Sequence, residues 1–388
     1  MHTPQITPNF SKLEQQPAGK NILLIIDPQI DFCEGGSLAV PGATKDLTLL
    51  ANFLTTNPSF FQEIHVSLDS HTETHIGHKG FWRTVDGNLL DETFHYGTVT
   101  VKGENIDIVK LSGETVQVQP SDKKYTTFAK KYIEMMHALG ATKPKPCIWP
   151  SHCIKENNAG WNVYPALATA LVGKEVTYHE KGGNDLVEMY SIFSAEVPAE
   201  TVTNDLEKSA NQDIIAEVIA QEAKNYSPQK KVLTMDMDNT NYKTSFNTEL
   251  FNTLFGKNNQ VYICGEAKTH CVKTSIEDLF NHITKQESDK VTTSYDQMYV
   301  IDNITSSIPS QTNLTEFSEP MQKSFLAMKG SGVKFVKLNN DSEFVEVNDI
   351  TDGLQESSGG GKKRRRYKKT RKGKSKKRKR TTYRRRRS

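Results

Sequence analysis

The chain has 388 residues, 49 Lys and Arg against 46 Asp and Glu, and a hydrophobic share of 36%, enough for one large globular domain or two ordinary ones and too polar for a fibrous or membrane-spanning protein. The net charge of +3 conceals a split: Lys362 to Ser388 hold 19 Lys and Arg and no acid, leaving 30 basic against 46 acidic residues, a net of −16, over residues 1–361. Five scattered cysteines without a C-x-x-C pair exclude a disulfide framework or a zinc finger and point to a reducing compartment.

Residues 1–19 read as a flexible N-terminus. The opening MHTPQITPNFSKLEQQPAGK lacks the basic start and apolar stretch of a signal peptide, and the longest aliphatic run, Ile22 to Ile26, is too short to cross a bilayer. Secretion and membrane spanning are therefore not expected. Apolar, β-rich runs follow at Asn21 to Ile26, Glu63 to Leu68, Lys174 to Tyr178, Gln260 to Cys264, Met298 to Ile301 and Val333 to Val336. Helical patterns fall between them at Tyr125 to Leu139, Tyr164 to Val172, Asp213 to Lys224, His270 to Ile283 and Pro320 to Lys329. This alternation predicts an α/β domain over residues 20–345, with a doubly wound, mostly parallel sheet flanked by helices.

Two insertions interrupt the pattern, near residues 83–145 and 197–242. Within the first, Tyr96 to Val118 alternates apolar and polar residues around Gly103 and Gly113, predicting β-hairpins laid on the main sheet. The second is polar and partly helical. Residues 346–388 form a linker and a disordered Lys/Arg-rich tail after the joint at Gly359, Gly360 and Gly361, because that composition cannot bury enough apolar surface to fold alone. Such a polycation fits nucleic acid or a nuclear import receptor, or serves only as a solubilising tail.

The residues that carry chemistry lie at strand ends. Asp27 closes the first strand, at the edge where open α/β sheets gather ligands, although Asp is also a common turn residue there. Asp69 and His71 alternate in an extended segment and so share a face. With His75 and His78 nearby they make mixed N/O ligands for a zinc- or iron-type ion, or simply a solvated His-rich loop. His152 sits in the Pro-punctuated loop CIWPSHC beside the flat ring of Trp149. Lys181 lies just past a strand and before Gly182 and Gly183, pointing into a site or snorkelling to the surface. Cys271 opens a helix, where the dipole favours a thiolate nucleophile, while Cys264, inside the strand, reads as inert. The segment LTMDMDNT, Leu233 to Thr240, looks like a phosphatase nucleophile loop but lacks the preceding apolar strand and the downstream partners.

Taken in order, Asp, Asp-x-His, Trp-Pro-x-His, Lys-Gly and Cys-Val across successive strand ends resemble the nicotinamidases, members of the isochorismatase-like cysteine hydrolases. DPQIDFCEGGSLAVPGA is almost a full copy of their opening motif, and the likeness spans about residues 20–340 in pieces. The resemblance implies a metal-dependent cysteine amidohydrolase that converts nicotinamide to nicotinate and ammonia through a Cys271 thioester, as in NAD salvage. It implies a catalytic triad of Asp27, Lys181 and Cys271. One divalent metal, zinc first with iron or manganese as alternatives, would be held by Asp69, His71 and His152, with His75 as a candidate fourth ligand. Phe32, Trp149 and Tyr190 would line the pocket around a pyridine ring. The backbone N–H groups of Ala267 and Cys271 would form an oxyanion hole, with a cis bond before Ala267.

Departures from the family pattern are Ser70 for an aromatic, His78 for a Phe, Glu266 for an apolar residue, and the long insertion between His78 and Trp149. Two alternatives remain: a related hydrolase acting on another small amide, and a nucleic-acid-associated protein whose basic tail is the main functional element. The expected location is intracellular, in the cytoplasm or the nucleus, with the oligomeric state open.

Overall fold

The computed structural model describes residues 19–140, 143–155, 159–206, 211–222, 229–230, 244–287, 294–309 and 318–350. Residues 1–18 of the N-terminal segment, the Leu233 to Thr240 segment and the basic tail fall outside the described residues, as do parts of the second insertion.

The chain begins with strand β1 (Asn21–Ile26), helix α1 (Ala43–Thr56) and β2 (Glu63–Asp69). The first insertion contributes β3 (Trp82–Thr84), β4 (Gly97–Lys102), β5 (Asn105–Val109), β6 (Thr115–Pro120), α2 (Thr126–Ala138) and β7 (Cys147–Ile148). The main fold resumes with α3 (Pro165–Leu171) and β8 (Val176–Lys181). It is followed by α4 (Ala199–Asn204), α5 (Gln212–Glu222) and the short β9 (Gln229–Lys230) of the second insertion. The chain then runs through α6 (Thr248–Phe255), β10 (Gln260–Gly265), α7 (Lys273–Glu287), β11 (Met298–Ile301), α8 (Ser318–Ser331), β12 (Lys334–Leu338) and β13 (Phe344–Glu346).

Among the described residues, eight strands make the main sheet in the order β13-β12-β11-β10-β1-β2-β8-β9. All neighbours run parallel except the two edge pairs, β12 with β13 and β8 with β9. The fold class expected from the sequence is the one observed. From β1 the chain builds outward on one side through β2 and β8 and on the other through β10, β11 and β12, so the switch point lies at the carboxyl end of β1, between β2 and β10.

Side-chain alternation divides the core. Leu23 and Ile25 face Leu47, Leu50 and Leu54 of α1 and Leu167 and Leu171 of α3. Ile22, Leu24 and Ile26 turn to the opposite face, with Leu250 and Phe251 of α6, Ile276 and Leu279 of α7, and Phe325 of α8.

Several boundaries differ from expectation. The third strand starts at Val176 and ends at Lys181, so Lys181 is its last residue and its place in the sheet is fixed. The hairpins of the first insertion do not extend the main sheet. They form a separate five-stranded sheet, β3-β6-β5-β4-β7, whose core of Val99, Ile106, Ile108 and Val118 packs with Phe128, Tyr132 and Met136 of α2. Helices α1, α4 and α6 add to the helices that the sequence pattern predicts.

Gly265, at the end of β10, has φ 111°, and a Cβ there would stand 2.0 Å from the Ile26 carbonyl oxygen. Only glycine lets β10 close this tightly on β1. Nearby, Asp46 of α1 is buried and accepts from Ser306 Oγ at 2.6 Å. Burial pushes its carboxyl up to about 6, against the Ser306 hydrogen bond. The folded chain therefore holds this proton more tightly than the unfolded one, and the stability it contributes is full below pH ~4 and lost as pH rises through about 6. Asp46→Asn, followed by thermal unfolding, is expected to gain on the wild type between pH 4 and pH 7, by at most about 3 kcal/mol.

Candidate active site

Asp27 follows β1 directly and takes a left-handed φ of 45°, uncommon for a residue with a side chain. Ser67, from β2, holds it there: the Asp27 N–H donates to Ser67 Oγ at 2.9 Å, and that hydroxyl donates to Asp27 Oδ1 at 2.5 Å. Lys181, at the end of β8, reaches across β2 and places Nζ 3.0 Å from Asp27 Oδ2. The same ammonium donates to Asp69 Oδ1 at 2.9 Å and to the Met189 carbonyl at 3.1 Å, and lies 3.7 Å from Cys271 Sγ. Asp27, Lys181 and Cys271 thus converge at the switch point, all buried.

Cys271 does not open an α-helix, as the sequence pattern suggests. It lies in a π-helical turn, Lys268–Val272, between β10 and α7. The wider turn closes with Val272 N–H on the Ala267 carbonyl at 3.1 Å and carries Cys271 back over the end of the sheet. The Glu266–Ala267 peptide is cis.

Asp69, His71 and His152 also meet. The His71 N–H at Nδ1 donates to the Gly182 carbonyl at 3.1 Å, and the His152 Nδ1–H to the Pro150 carbonyl at 2.8 Å. Each ring therefore turns Nε2 towards Asp69 Oδ2, at 3.0 Å from His71 and 3.4 Å from His152. Two imidazole nitrogens around one carboxylate oxygen, with backbone carbonyls fixing both rings from behind, fit a divalent zinc- or iron-type ion. Gly182 is required here, with φ 77° and a Cβ position only 2.7 Å from His71 Cε1.

His75 engages both nitrogens with backbone groups, Nε2 with the Val187 carbonyl and Nδ1 with the Gly77 N–H, each at 3.1 Å. His78 donates from Nδ1 to the Thr72 carbonyl at 3.0 Å and sets Nε2 3.3 Å from His152 Nδ1. Ring nitrogens of His71, His78 and His152 all lie within 4.8 Å of one another, as do those of His71 and His75 with a Glu188 oxygen. Burial holds His75 neutral, at about 4, and His78 well below the ordinary imidazole range.

Charge at Asp69 is settled by competition. Burial raises its carboxyl, but His71 and Lys181 outweigh that and hold it well below the carboxylate range. At Asp27 burial prevails over Lys181 and the carboxyl is raised. Burial likewise pushes the Cys271 thiol well above its ordinary value, with Lys181 offsetting only part.

The aromatic residues gather at one side. The ring centroids of Phe32 and His152 lie 5.5 Å apart in an edge-on arrangement, and Trp149 Nε1 donates to the Tyr190 hydroxyl at 3.0 Å. His270 joins them, 5.3 Å from Trp149 and 5.5 Å from Tyr190 between ring centroids. Sequence reasoning missed Ser67, His270 and Gln29. Gln29 clamps Asp69 by accepting from its N–H at 2.7 Å and donating to its carbonyl at 2.8 Å. Their signal was polarity inside otherwise apolar strands, and adjacency to Asp27 and Cys271.

The chain matches no protein-family model and no curated protein. Solved structures similar to it are nicotinamidases, pyrazinamidases and isochorismatase-family hydrolases. The Acinetobacter baumanii nicotinamidase/pyrazinamidase is 15% identical over 83% of this chain and 98% of its own, with a TM-score of 0.42. The yeast nicotinamidase is 15% identical over 81% and 98%, with a TM-score of 0.43. The Pyrococcus horikoshii pyrazinamidase, solved with zinc, is 16% identical over 82% and 99%, with a TM-score of 0.38. Likeness at this level adds nothing to the site geometry.

The candidate metal ligands are testable by zinc retention. Full-length protein equilibrated with zinc and desalted is expected to retain one ion per chain by elemental analysis. His152→Ala should weaken zinc binding by more than about 100-fold, beyond the 10- to 100-fold typical of an outer partner.

Proposed function

We propose that the chain is a metal-dependent cysteine amidohydrolase that converts nicotinamide to nicotinate and ammonia through a thioester at Cys271. The observation that supports it most directly is the position of Lys181, 3.0 Å from Asp27 and 3.7 Å from Cys271 while also bound to Asp69 among the candidate metal ligands. Burial opposes charge on this lysine, but Asp27 and Asp69 outweigh it and hold the ammonium well above its ordinary range.

One ammonium cannot neutralise two carboxylates and a thiolate together, so the resting thiol keeps its proton and Asp27 serves as the base. Sγ bonds to the carboxamide carbon as its proton passes to Asp27. Asp27 returns that proton to the amide nitrogen, the C–N bond breaks and ammonia leaves. Water then adds to the thioester, giving a proton to Asp27, and the C–S bond breaks as the sulfur regains a proton. The N–H groups of Ala267 and Cys271 would donate to the oxyanion at each tetrahedral stage.

An ion held by Asp69, His71 and His152 would offer a Lewis-acid site for a ring nitrogen. Phe32, Trp149 and Tyr190 would flank a flat heteroaromatic ring. The tail adds a second activity without replacing the first: 19 Lys and Arg in residues 362–388 favour binding of nucleic acid or an import receptor, with strong salt dependence and a cytoplasmic or nuclear location.

The test is ammonia release from nicotinamide. Cys271→Ala is expected to lose at least about 10⁴-fold in kcat, since loss of a nucleophile removes the covalent route. Hydrolysis of another small carboxamide, with nicotinamide inert, would transfer the same mechanism to the alternative substrate.

A further inference from the structure

Asp69 closes β2, and its side chain meets that of His71 two residues on, so the pair shares one face of an extended stretch. The backbone of that stretch is held at every residue. Gln29 takes both the N–H and the carbonyl of Asp69. The Ser70 N–H donates to the Lys181 carbonyl at 2.8 Å, while His71 donates from its N–H to the Cys153 carbonyl at 3.0 Å and accepts from the Lys155 N–H at 3.2 Å. Ser70 lies between the two candidate ligands and is buried.

The side chain of Ser70 finds its partner in a distant segment. Trp161 Nε1–H donates to Ser70 Oγ at 2.8 Å, and that hydroxyl donates in turn to the Leu68 carbonyl at 3.0 Å. A hydroxyl that both donates and accepts is fixed in orientation. The Trp161 carbonyl accepts from Gln29 Nε2 at 2.9 Å, the same amide that donates to the Asp69 carbonyl at 2.8 Å. Trp161 thus holds this stretch twice, with its indole on Ser70 and with its main chain through Gln29. The segment that carries it is anchored on the loop after β1: the Ile30 N–H donates to the Asn162 carbonyl at 2.9 Å, the Tyr164 N–H donates to the Pro28 carbonyl at 2.8 Å, and Gln29 and Val163 form an antiparallel bridge. Lys155 sets Nζ 5.9 Å from the centre of the indole and pairs with Glu180 at 3.0 Å.

We propose that Trp161 is a positioning residue for the metal site and sets the spacing of Asp69 and His71 through the hydroxyl of Ser70. This rests on the reading that Asp69, His71 and His152 hold a divalent ion, and it is independent of which amide is hydrolysed. Ligands of an ion must be held within about 0.5 Å of their places by groups that are themselves fixed. Two side chains on alternate residues share a face only while the residue between them stays extended. The indole N–H pins that middle residue, so Asp69 Oδ2 and His71 Nε2 keep their 3.0 Å approach. An indole nitrogen is a donor only, and Trp161 therefore acts through Ser70 rather than as a ligand.

The experiment uses the full chain, with zinc and cobalt(II) as probes. Trp161→Phe keeps an aromatic ring and loses the donor, while Ser70→Ala removes the acceptor. Each is expected to weaken zinc binding about 10- to 100-fold in competition with a chromophoric chelator. Each should also shift the visible absorption bands of cobalt(II) bound in place of zinc. The double variant is expected to bind zinc within about twofold of the weaker single variant, because the two side chains act through one hydrogen bond. Should Trp161→Phe not fold, Ser70→Ala, which loses one oxygen atom, carries the same expectation. A merely structural indole would lower the melting temperature of the metal-free variant and leave zinc affinity and the cobalt bands in place, and that result overturns the role. Losses that multiply in the double variant overturn it as well, since they put Trp161 and Ser70 on separate paths. A wild type that takes up neither ion removes the metal reading and the role together. A wild type that binds zinc beside a Trp161→Phe protein that binds it equally well removes the role alone.

Discussion

A single buried ammonium, on Lys181, organises the centre of this molecule. It is 1% exposed and lies within 3.0 Å of carboxylates on Asp27 and Asp69. A lone charge in such a place would be costly, and so would either carboxylate without it. The lysine therefore binds the two halves of the site together. It meets the thiol of Cys271 directly at 3.7 Å, and through Asp69 it meets the imidazoles of His71 and His152. With one positive charge among several groups able to become negative, the neighbours compete. Asp69 is held ionised, while Asp27 and Cys271 are raised.

Backbone turns deliver these groups. Asp27 leaves β1 in a left-handed conformation, Gly182 and Gly265 adopt positive φ where a Cβ would collide, and Cys271 rides a π-turn. Each device sits at the carboxyl edge of a central strand, where the chain changes direction across the sheet.

The first insertion does more than lengthen the chain. Its small sheet ends in β7, which runs directly into Trp149 and His152. Bridges pairing His78 with Trp149 and His71 with Ile154 lay that segment beside the His-rich loop after β2. Asp31 anchors it from beneath, accepting from the Cys153 N–H at 2.7 Å. A histidine 81 positions after His71 thereby comes to share a carboxylate oxygen with it.

The sequence alone determined the alternation of strands and helices, and hence a doubly wound sheet, because parallel strands buried on both faces must be nearly continuous apolar runs. It also marked Asp27, Asp69, His71, His152, Lys181 and Cys271, since polar residues at the ends of such runs stand out. Tertiary structure decided what a one-dimensional pattern cannot hold. Strand register placed Ser67 against Asp27 and stacked His65 on His179. The hairpins closed into a sheet of their own, because their pairing with β3 and β7 spans sequence distances that local alternation does not encode. The π-turn at Cys271 and the choice between His75 and His78 beside His152 depend on backbone carbonyls from distant segments, and only the folded chain brings those within hydrogen-bonding reach.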